Sequence, residues 1–168
     1  TLDTVGSAAL ADVAGVRTHG GSNANVTLTT SAGNLTLTQN VSANGSGYVD
    51  LRANGTGALG EIQLNANSAV VSATGNVQLA AAGNITTSSA SVGNGAASSP
   101  EIVTAGNVLL VAGSGIGTDT NRIELKNVSV LAANASVLNA NGDIFIRQVP
   151  GANGTLTVGN GTVFGNLA

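Results

Sequence analysis

Apolar residues in this chain form short alternating strings rather than long runs. In each string two apolar residues flank one other residue, usually polar: Val26/Leu28, Leu35/Leu37, Ile62/Leu64, Val77/Leu79, Ile123/Leu125, Val128/Val130, Ile144/Ile146 and Leu156/Val158. A period of two is typical of a β-strand with one buried face. The pattern therefore predicts an all-β chain built from many short strands.

A sequence motif recurs with these strings. In order along the chain, it consists of a small residue, a glycine, an Asn or Asp, and then an apolar-x-apolar strand. The copies are SAGNLTLT (31–38), ATGNVQLA (73–80), AAGNITTS (81–88), TAGNVLLV (104–111) and ANGDIFIR (140–147), with looser copies at 23–30 and 153–160. A short strand cannot bury its apolar face alone, so repeated copies must stack on one another. With three strands per turn, the stack is a parallel β-helix.

The spacing of the strands sets the expected size of this β-helix. We expect a single domain over residues 1–168, with residues 1–24 as an atypical first coil. About 20 to 23 residues per coil predict roughly seven to eight coils, and ~4.8 Å per coil predicts a rod of roughly 35 to 40 Å. The rival architecture, an antiparallel sandwich or barrel, needs regular two-residue hairpins. Only Asn44-Gly45 and Asn54-Gly55 fit such hairpins, so the β-helix is favoured.

Gly55, Gly57 and Gly60 spell the glycine pattern of a dinucleotide-binding turn. That function requires a helix after the glycines and an acidic residue about 20 positions on. Residues 61–64 instead alternate like a strand, and no acidic residue occurs between Glu61 and Glu101. We interpret the glycines as a turn between strands. Residues 113–127 are expected to repeat this arrangement, with residues 118–121 as an insertion.

The alternation also predicts which side chains are buried. Six aliphatic residues are expected to point into the column: Ile62, Leu64, Ile123, Leu125, Ile144 and Ile146. Gln63 is expected to point outward, as are the apolar residues Leu109, Val111 and Phe145. These outward apolar side chains would supply lateral contacts.

Composition agrees with a narrow aliphatic column. Aromatic residues make up 2% and charged residues 8% of the chain, with no Trp, Met or Cys. The net charge of -3 and five scattered basic residues argue against a nucleic-acid partner. No apolar run approaches the ~18 residues of a membrane-spanning helix, so we expect no membrane insertion. Without cysteine there is neither a disulfide framework nor a thiolate metal site.

The repeats resemble a known family. SAGNLTLT, TAGNVLLVAGSGIGTDTNRIEL and NGDIFIRQV are similar to the passenger repeats of filamentous-haemagglutinin-like large exoproteins, adhesins exported by bacterial two-partner secretion. The resemblance covers most of residues 25–158. It does not extend to the secretion module or to the toxin ends of that family. It implies a right-handed parallel β-helix, export across a Gram-negative outer membrane, a secreted or cell-surface location, and an adhesive shaft.

Candidate catalytic and metal-binding residues are sparse. The carboxylates are Asp3, Asp12, Asp50, Glu61, Glu101, Asp119, Glu124 and Asp143. A polysaccharide lyase or hydrolase would gather such groups on one face. Coil stacking could place Glu61 and Glu124 at equivalent positions, but we interpret the carboxylates as solvated charges. His19 is the only histidine, and the G-x-G-x-D of residues 115–119 occurs once. We therefore expect no enzyme activity, cofactor or metal.

Two polar patterns lie on the expected surface. The sequon Asn-x-Ser/Thr makes ten asparagines candidate N-glycosylation sites: Asn25, Asn34, Asn40, Asn44, Asn54, Asn84, Asn127, Asn134, Asn153 and Asn160. Part of this abundance is structural, because a turn Asn before an inward apolar residue and an outward Thr spells the sequon. Thr-x-Thr at Thr27/Thr29, Thr36/Thr38 and Thr155/Thr157 could form a hydroxyl array for ice or carbohydrate. Gln63 and Gln78 at equivalent positions interrupt it.

The two ends of the chain carry no recognisable cap. Residues 5–16 are interrupted by glycine, and the last ten residues still have strand and turn character. Exposed strand edges recruit further strands, so we expect stacking on neighbouring or identical coils end to end. The expected function is a structural and adhesive segment of a secreted bacterial surface fibre, with host or matrix glycans as candidate partners. The alternatives are a self-assembling filament subunit and a polysaccharide-acting enzyme.

Overall fold

The structure is a computed structural model that describes residues 15–19, 23–56, 59–88, 99–135, 142–152 and 154–159. The strands are β1 (Val16–Arg17), β2 (Val26–Thr30), β3 (Leu35–Leu37), β4 (Val41–Ala43), β5 (Val49–Ala53), β6 (Ile62–Leu64), β7 (Val70–Ser72), β8 (Val77–Ala81), β9 (Ile85–Thr87), β10 (Ile102–Val103), β11 (Asn107–Ala112), β12 (Ile123–Lys126), β13 (Val130–Asn134), β14 (Ile146–Gln148) and β15 (Thr157–Val158). The described ranges contain no helix long and apolar enough to cross a membrane.

Three parallel sheets run along the stack. Sheet 1 has the strand order β1-β4-β7-β10-β12-β14, sheet 2 the order β2-β5-β8-β11-β13-β15, and sheet 3 the order β3-β6-β9. Sheet 3 continues through single-residue bridges from Ile85 to Ile116 and from Ile116 to Ile144. The chain therefore visits sheets 1, 2 and 3 in the same order on every turn. The predicted all-β parallel β-helix with three strands per turn is confirmed, as a solenoid of about five turns.

The predicted number of coils was too high. One column of sheet 2 joins Val26, Val49, Val77, Val108, Leu131 and Val158, so successive turns advance by 23, 28, 31, 23 and 27 residues. Five turns at ~4.8 Å correspond to ~24 Å of length. The estimate of 20 to 23 residues failed because turns differ in how much chain they place at corners. The longest interval between consecutive strands, residues 88–101, separates β9 from β10.

Aliphatic side chains from all three sheets fill the interior of the solenoid. The fully buried side chains include Val49, Leu51, Val77, Leu79, Ile85, Ile102, Leu110, Ile116, Ile123 and Leu125. The predicted inward positions of Ile62 and Leu64 are also confirmed, since they are 0% and 1% exposed. Ile144 and Ile146 pair with the buried residues Ile116 and Ile123, as inward positions require, but the predicted burial is wrong for them, since Ile144 is 44% exposed and Ile146 is half-buried. Both lie in the last described turns, where the columns reach the end of the stack.

The glycine-rich stretches at residues 55–64 and 113–127 are not equivalent copies. Residues 62–64 form β6 of sheet 3, whereas residues 123–126 form β12 of sheet 1. The structural counterpart of β6 is Ile116, which lies between Gly115 and Gly117. Residues 118–121 are therefore a corner between sheets 3 and 1 rather than an insertion. The sequence comparison failed because a glycine turn followed by alternation occurs at more than one corner.

The expected atypical first coil over residues 1–24 falls largely outside the described residues. Its described part includes β1, which pairs in parallel with β4 through Val16 and Val41. Sheet 1 therefore already begins in this region.

Glycines stack at the corner that leads into sheet 2. A Cβ added to Gly75 would lie 2.1 Å from the main-chain oxygen of Gly47, and one added to Gly106 would lie 2.4 Å from that of Gly75. Hydroxyl groups reinforce the stack, because Ser72 donates to the Gly47 carbonyl at 2.7 Å and Thr104 donates to the Gly75 carbonyl at 2.6 Å. Successive turns thus approach too closely for any side chain.

We expect Gly75→Ala to lower the free energy of unfolding by about 1–3 kcal/mol, because the added methyl group forces the packed turns apart. Chemical denaturation measures this change. Gly154→Ala is the matched control, since a Cβ there has no neighbour within 4 Å. Equal stability of the two variants would contradict the close stacking at this corner.

Candidate functional site

Two glutamates from neighbouring turns and an arginine form a buried cluster on sheet 1. Glu101 immediately precedes β10, and Glu124 lies in β12. Because Ile102 pairs with Leu125, the two preceding residues, Glu101 and Glu124, lie side by side. Both glutamates are 0% exposed. Glu124 pairs in register with Arg147 of β14, whose guanidinium donates to the Glu124 carboxylate. The cluster carries two formal negative charges and one positive charge.

Hydrogen bonds hold the two carboxylates of this cluster in place. Glu101 accepts the Thr87 hydroxyl at 2.8 Å with one oxygen and the main-chain N–H of Glu124 at 2.8 Å with the other. The second oxygen of Glu124, Oε2, has no hydrogen-bond partner among the described residues. A carboxylate in acid–base catalysis must reach the substrate. Fully buried and bonded to neighbouring turns, these groups are arranged to join strands.

The expectation that the carboxylates are solvated charges is wrong for Asp50, Glu101 and Glu124. Asp50 is 3% exposed on the outer face of sheet 2, where its oxygens accept from Arg52 Nε at 2.9 and 3.1 Å. Alternation along a strand assigns these three residues to the outer face of their sheets. Alternation does not indicate whether a residue on the outer face is exposed to solvent, so their burial could not be predicted. Asp3 and Asp12 lie outside the described residues.

Glu61 and Glu124 do not occupy equivalent positions. Glu61 precedes β6 of sheet 3, whereas Glu124 lies in sheet 1. The carboxylate of Glu61 accepts hydrogen bonds at 2.9 Å from the side-chain amides of Gln63 and Asn84. It belongs to a polar ladder on the outer face of sheet 3.

The remaining candidates for metal binding are dispersed. His19 is exposed, and within the described ranges no three or more His, Cys, Asp or Glu residues are placed to hold a metal ion. The G-x-G-x-D stretch ends in Asp119, whose carboxylate lies 2.9 Å from Arg122 in a solvent-exposed ion pair. The end of that stretch therefore lies in the corner between sheets 3 and 1.

Several sequon asparagines have a structural role at the corners. In each case Oδ1 accepts a main-chain N–H from the next turn: Asn25 from Tyr48, Asn34 from Gly60 and Glu61, Asn40 from Ala69, Asn84 from Gly115, and Asn127 from Ala152, at 2.8–3.0 Å. Sequence analysis missed this role, although a recurrent Asn directly before a strand could have indicated it.

Exposure varies among the candidate glycosylation sites. Six are exposed: Asn25, Asn34, Asn40, Asn44, Asn54 and Asn134. Asn84 and Asn127 are half-buried, and Asn84 Nδ2, the atom that a glycan would modify, donates to Glu61. Asn153 and Asn160 lie outside the described residues. Glycosylation of these sequons stays a prediction.

The outer faces of sheets 2 and 3 carry mixed rows of residues. Thr27 and Thr29 are exposed, but the next turn places Asp50 and Arg52 beside them. On sheet 3, Thr36 stacks on Gln63 and then Thr86. Interruption of the threonine array is therefore confirmed on both sheets.

The predicted outward apolar residues lie on these same faces. Leu109 pairs with Gln78 and Val111 with Ala80 on sheet 2, and both are half-buried. Phe145 follows Ile144 and is also half-buried. Leu109 and Val111 thus form a modest apolar strip in the central turns.

A hollow interrupts the outer face of sheet 3. Its volume is about 380 Å³, and Asn84, Ser114, Gly115, Gly117, Asp143 and Phe145 are among the residues that line it. The glycines on either side of Ile116 occupy positions that carry side chains in the turns before and after. The hollow exists because one turn of the sheet lacks those side chains.

Inward columns become exposed at both ends of the described stack. Val16 of β1 is 41% exposed, although its partner Val41 is 3% exposed. At the other end Val158 is 80% exposed, although its partner Leu131 is 6% exposed. Ile144 shows the same change relative to Ile116, which is fully buried. Among the described residues, column side chains are therefore exposed at two opposite ends of the stack, here called the end faces.

Comparison with protein-family models, curated proteins and solved structures gives no match.

Proposed function

We propose that the chain is a structural and adhesive segment of a secreted bacterial surface fibre, a rigid shaft that acts through its length and exposed faces without catalysis. The observation that carries the proposal is the exposure of column residues at the end faces, Val16 at one and Ile144 and Val158 at the other. A further turn stacked on either face would bury these side chains as their partners within the stack are buried.

Backbone geometry supports the same role. The last strand of a stack presents N–H and C=O groups that pair with another strand unless something covers them. Adding a turn would satisfy these groups and remove apolar surface from water at about 25 cal/mol per Å². Continuous parallel ladders along a shaft resist bending because each turn is hydrogen-bonded to the next. Export and surface location rest on the resemblance of the repeats to exoprotein passengers.

The same end faces favour a second candidate, a filament subunit that stacks on copies of itself. Val16 of sheet 1 is exposed at one end face, and Ile144 of sheet 3 and Val158 of sheet 2 are exposed at the other. Opposite faces of two copies could therefore bury these side chains against each other. Such head-to-tail contacts are heterologous and generate an open filament. The shaft requires neighbouring turns in one polypeptide, whereas the filament requires only this chain.

The experiment that tests the open end faces is sedimentation of the purified chain over a range of concentrations, combined with electron microscopy. We expect concentration-dependent fibres, because stacking would remove the exposed side chains of Val16, Ile144 and Val158 from water. Fibre diffraction should show a reflection at ~4.8 Å along the fibre axis, the spacing of stacked strands.

A double variant at one end face makes this test specific. Ile144→Asp with Val158→Asp should remain folded, since both side chains are exposed, yet should lose assembly because it places charge in the junction. Thr27→Asp with Thr29→Asp adds the same charge to exposed lateral positions and should still assemble. A chain that stays monomeric at high concentration would contradict the proposal.

A further inference from the structure

The hollow on sheet 3 arises from a gap in two rows of outward side chains. The row that precedes the inward residue contains Asn34, Glu61, Asn84, Gly115 and Asp143, and the row that follows it contains Thr36, Gln63, Thr86, Gly117 and Phe145. Glycine thus replaces both side chains in a single turn. The turns on either side are two strand spacings apart, about 10 Å, so their side chains form the walls of a slot.

The walls of this slot differ in chemistry. Asp143 is exposed and contributes a carboxylate, and Phe145 contributes a half-buried aromatic ring. On the opposite wall Asn84 directs Oδ1 to the Gly115 N–H at 2.9 Å and Nδ2 to Glu61 at 2.9 Å, which holds its amide in place. Ser114 and Thr118 add hydroxyl groups at the sides. The lining residues include no Lys or Arg.

From this arrangement we infer that the hollow binds a neutral pyranose sugar. A pyranose ring is flat enough for a slot of this width, and its C–H face packs on an aromatic ring. A carboxylate accepts hydrogen bonds from two adjacent hydroxyl groups with its two oxygens. The remaining hydroxyl groups of the sugar would meet Ser114 and Thr118.

Charge and shape favour this ligand class over others. Asp143 repels acidic sugars, and the lining contains no cation that would attract them. One carboxylate is too few oxygen ligands for a bound calcium ion. An open hollow of this size with one aromatic ring predicts a dissociation constant on the order of 1 mM, which becomes effective through repetition along a fibre.

The inference names a ligand for the proposed adhesive role and rests on that role for its biological meaning. The binding test is nevertheless separate from the assembly test. A chain that binds sugar but stays monomeric contradicts the fibre segment alone. A chain that assembles but ignores sugar contradicts this site alone.

Saturation-transfer NMR on the full chain tests the site, with methyl mannopyranoside, methyl galactopyranoside and methyl glucopyranoside as probes at millimolar concentration. We expect saturation of at least one of these neutral sugars and a much weaker response from methyl glucuronate. The decisive variant is Gly115→Asn, which restores the residue found at the equivalent positions 34 and 84. A Cβ at Gly115 would lie 3.3 Å from Asn84 Oδ1 and 3.6 Å from the Asp143 carbonyl, so the side chain fits after a small adjustment.

Gly115→Asn should reduce the NMR response at least tenfold while leaving the melting temperature close to that of the parent chain. Gly117 is unsuitable for this purpose because its φ is +66° and a Cβ there would meet the Phe145 carbonyl at 2.5 Å. Thr36→Asn changes an outer residue of the same sheet, away from the hollow, and should bind as the parent does. Phe145→Leu should weaken binding by removing the ring. Equal binding by the parent and Gly115→Asn, no response to any neutral sugar, or preference for glucuronate would overturn the inference.

Discussion

Ile85→Asp is expected to lower the free energy of unfolding by more than ~4 kcal/mol, because it buries an unpaired carboxylate in the aliphatic column. Ile85 is 0% exposed and pairs with Ile62 in the turn before and Ile116 in the turn after. The charge would therefore disturb three consecutive turns. Urea denaturation monitored by circular dichroism measures the loss.

The adjacent residue in the same strand provides the matched control. Thr86 points to the outer face of sheet 3 and is half-buried, so Thr86→Asp introduces the same charge on the solvent side. We expect a change within about 1 kcal/mol. Similar losses from the two variants would show that the inward and outward assignments of β9 are wrong.

Arg147→Met is expected to destabilise the chain by about 3–5 kcal/mol, because it leaves the Glu124 carboxylate buried without its cation. The Glu124 side chain is 0% exposed and that of Arg147 is 21% exposed. Methionine keeps most of the arginine's apolar stem, so the loss reports the charge rather than the packing. The same denaturation experiment measures it.

Two further variants separate pairing from simple loss of an arginine. Arg147→Met combined with Glu124→Leu removes both charges and should recover much of the stability, as replacement of buried ion pairs by apolar residues often does. Arg122→Met removes an arginine from an exposed pair with Asp119 and should cost less than about 1 kcal/mol. If Arg147→Met costs no more than Arg122→Met, the buried cluster does not hold these turns together.

Ile85→Asp and Arg147→Met lie in different parts of the stack and should not destabilise the same turns. In a solenoid each turn contacts mainly its neighbours, so a defect spreads only as far as the turns remain coupled. Ile85 lies in the central turns, whereas Arg147 lies near one end face. Hydrogen exchange should therefore locate the loss of protection in Arg147→Met in the turns around β12 and β14.

Local pattern was sufficient to predict the architecture. Ile62 and Leu64, with Gln63 between them, already identify a strand with one buried face, and the structure has that strand as β6. Stacking follows because such short strands have no other means of burying their apolar side chains. The number of turns did not follow, since the length of each corner is decided by local chain excursions that leave the alternation unchanged.

Position around the solenoid was decided only by the tertiary structure. The motifs around Asn76 and Asn84 look alike, yet they precede strands of sheets 2 and 3 respectively. The pairing of Glu101 with Glu124 and the hollow beside Gly115 both depend on which residues of different turns share a row. Alternation is a property of neighbours along the chain, and therefore the sequence alone determined inside and outside. Which residues of different turns lie side by side on a sheet depends on the summed length of every intervening corner. Only the folded stack therefore determined these rows.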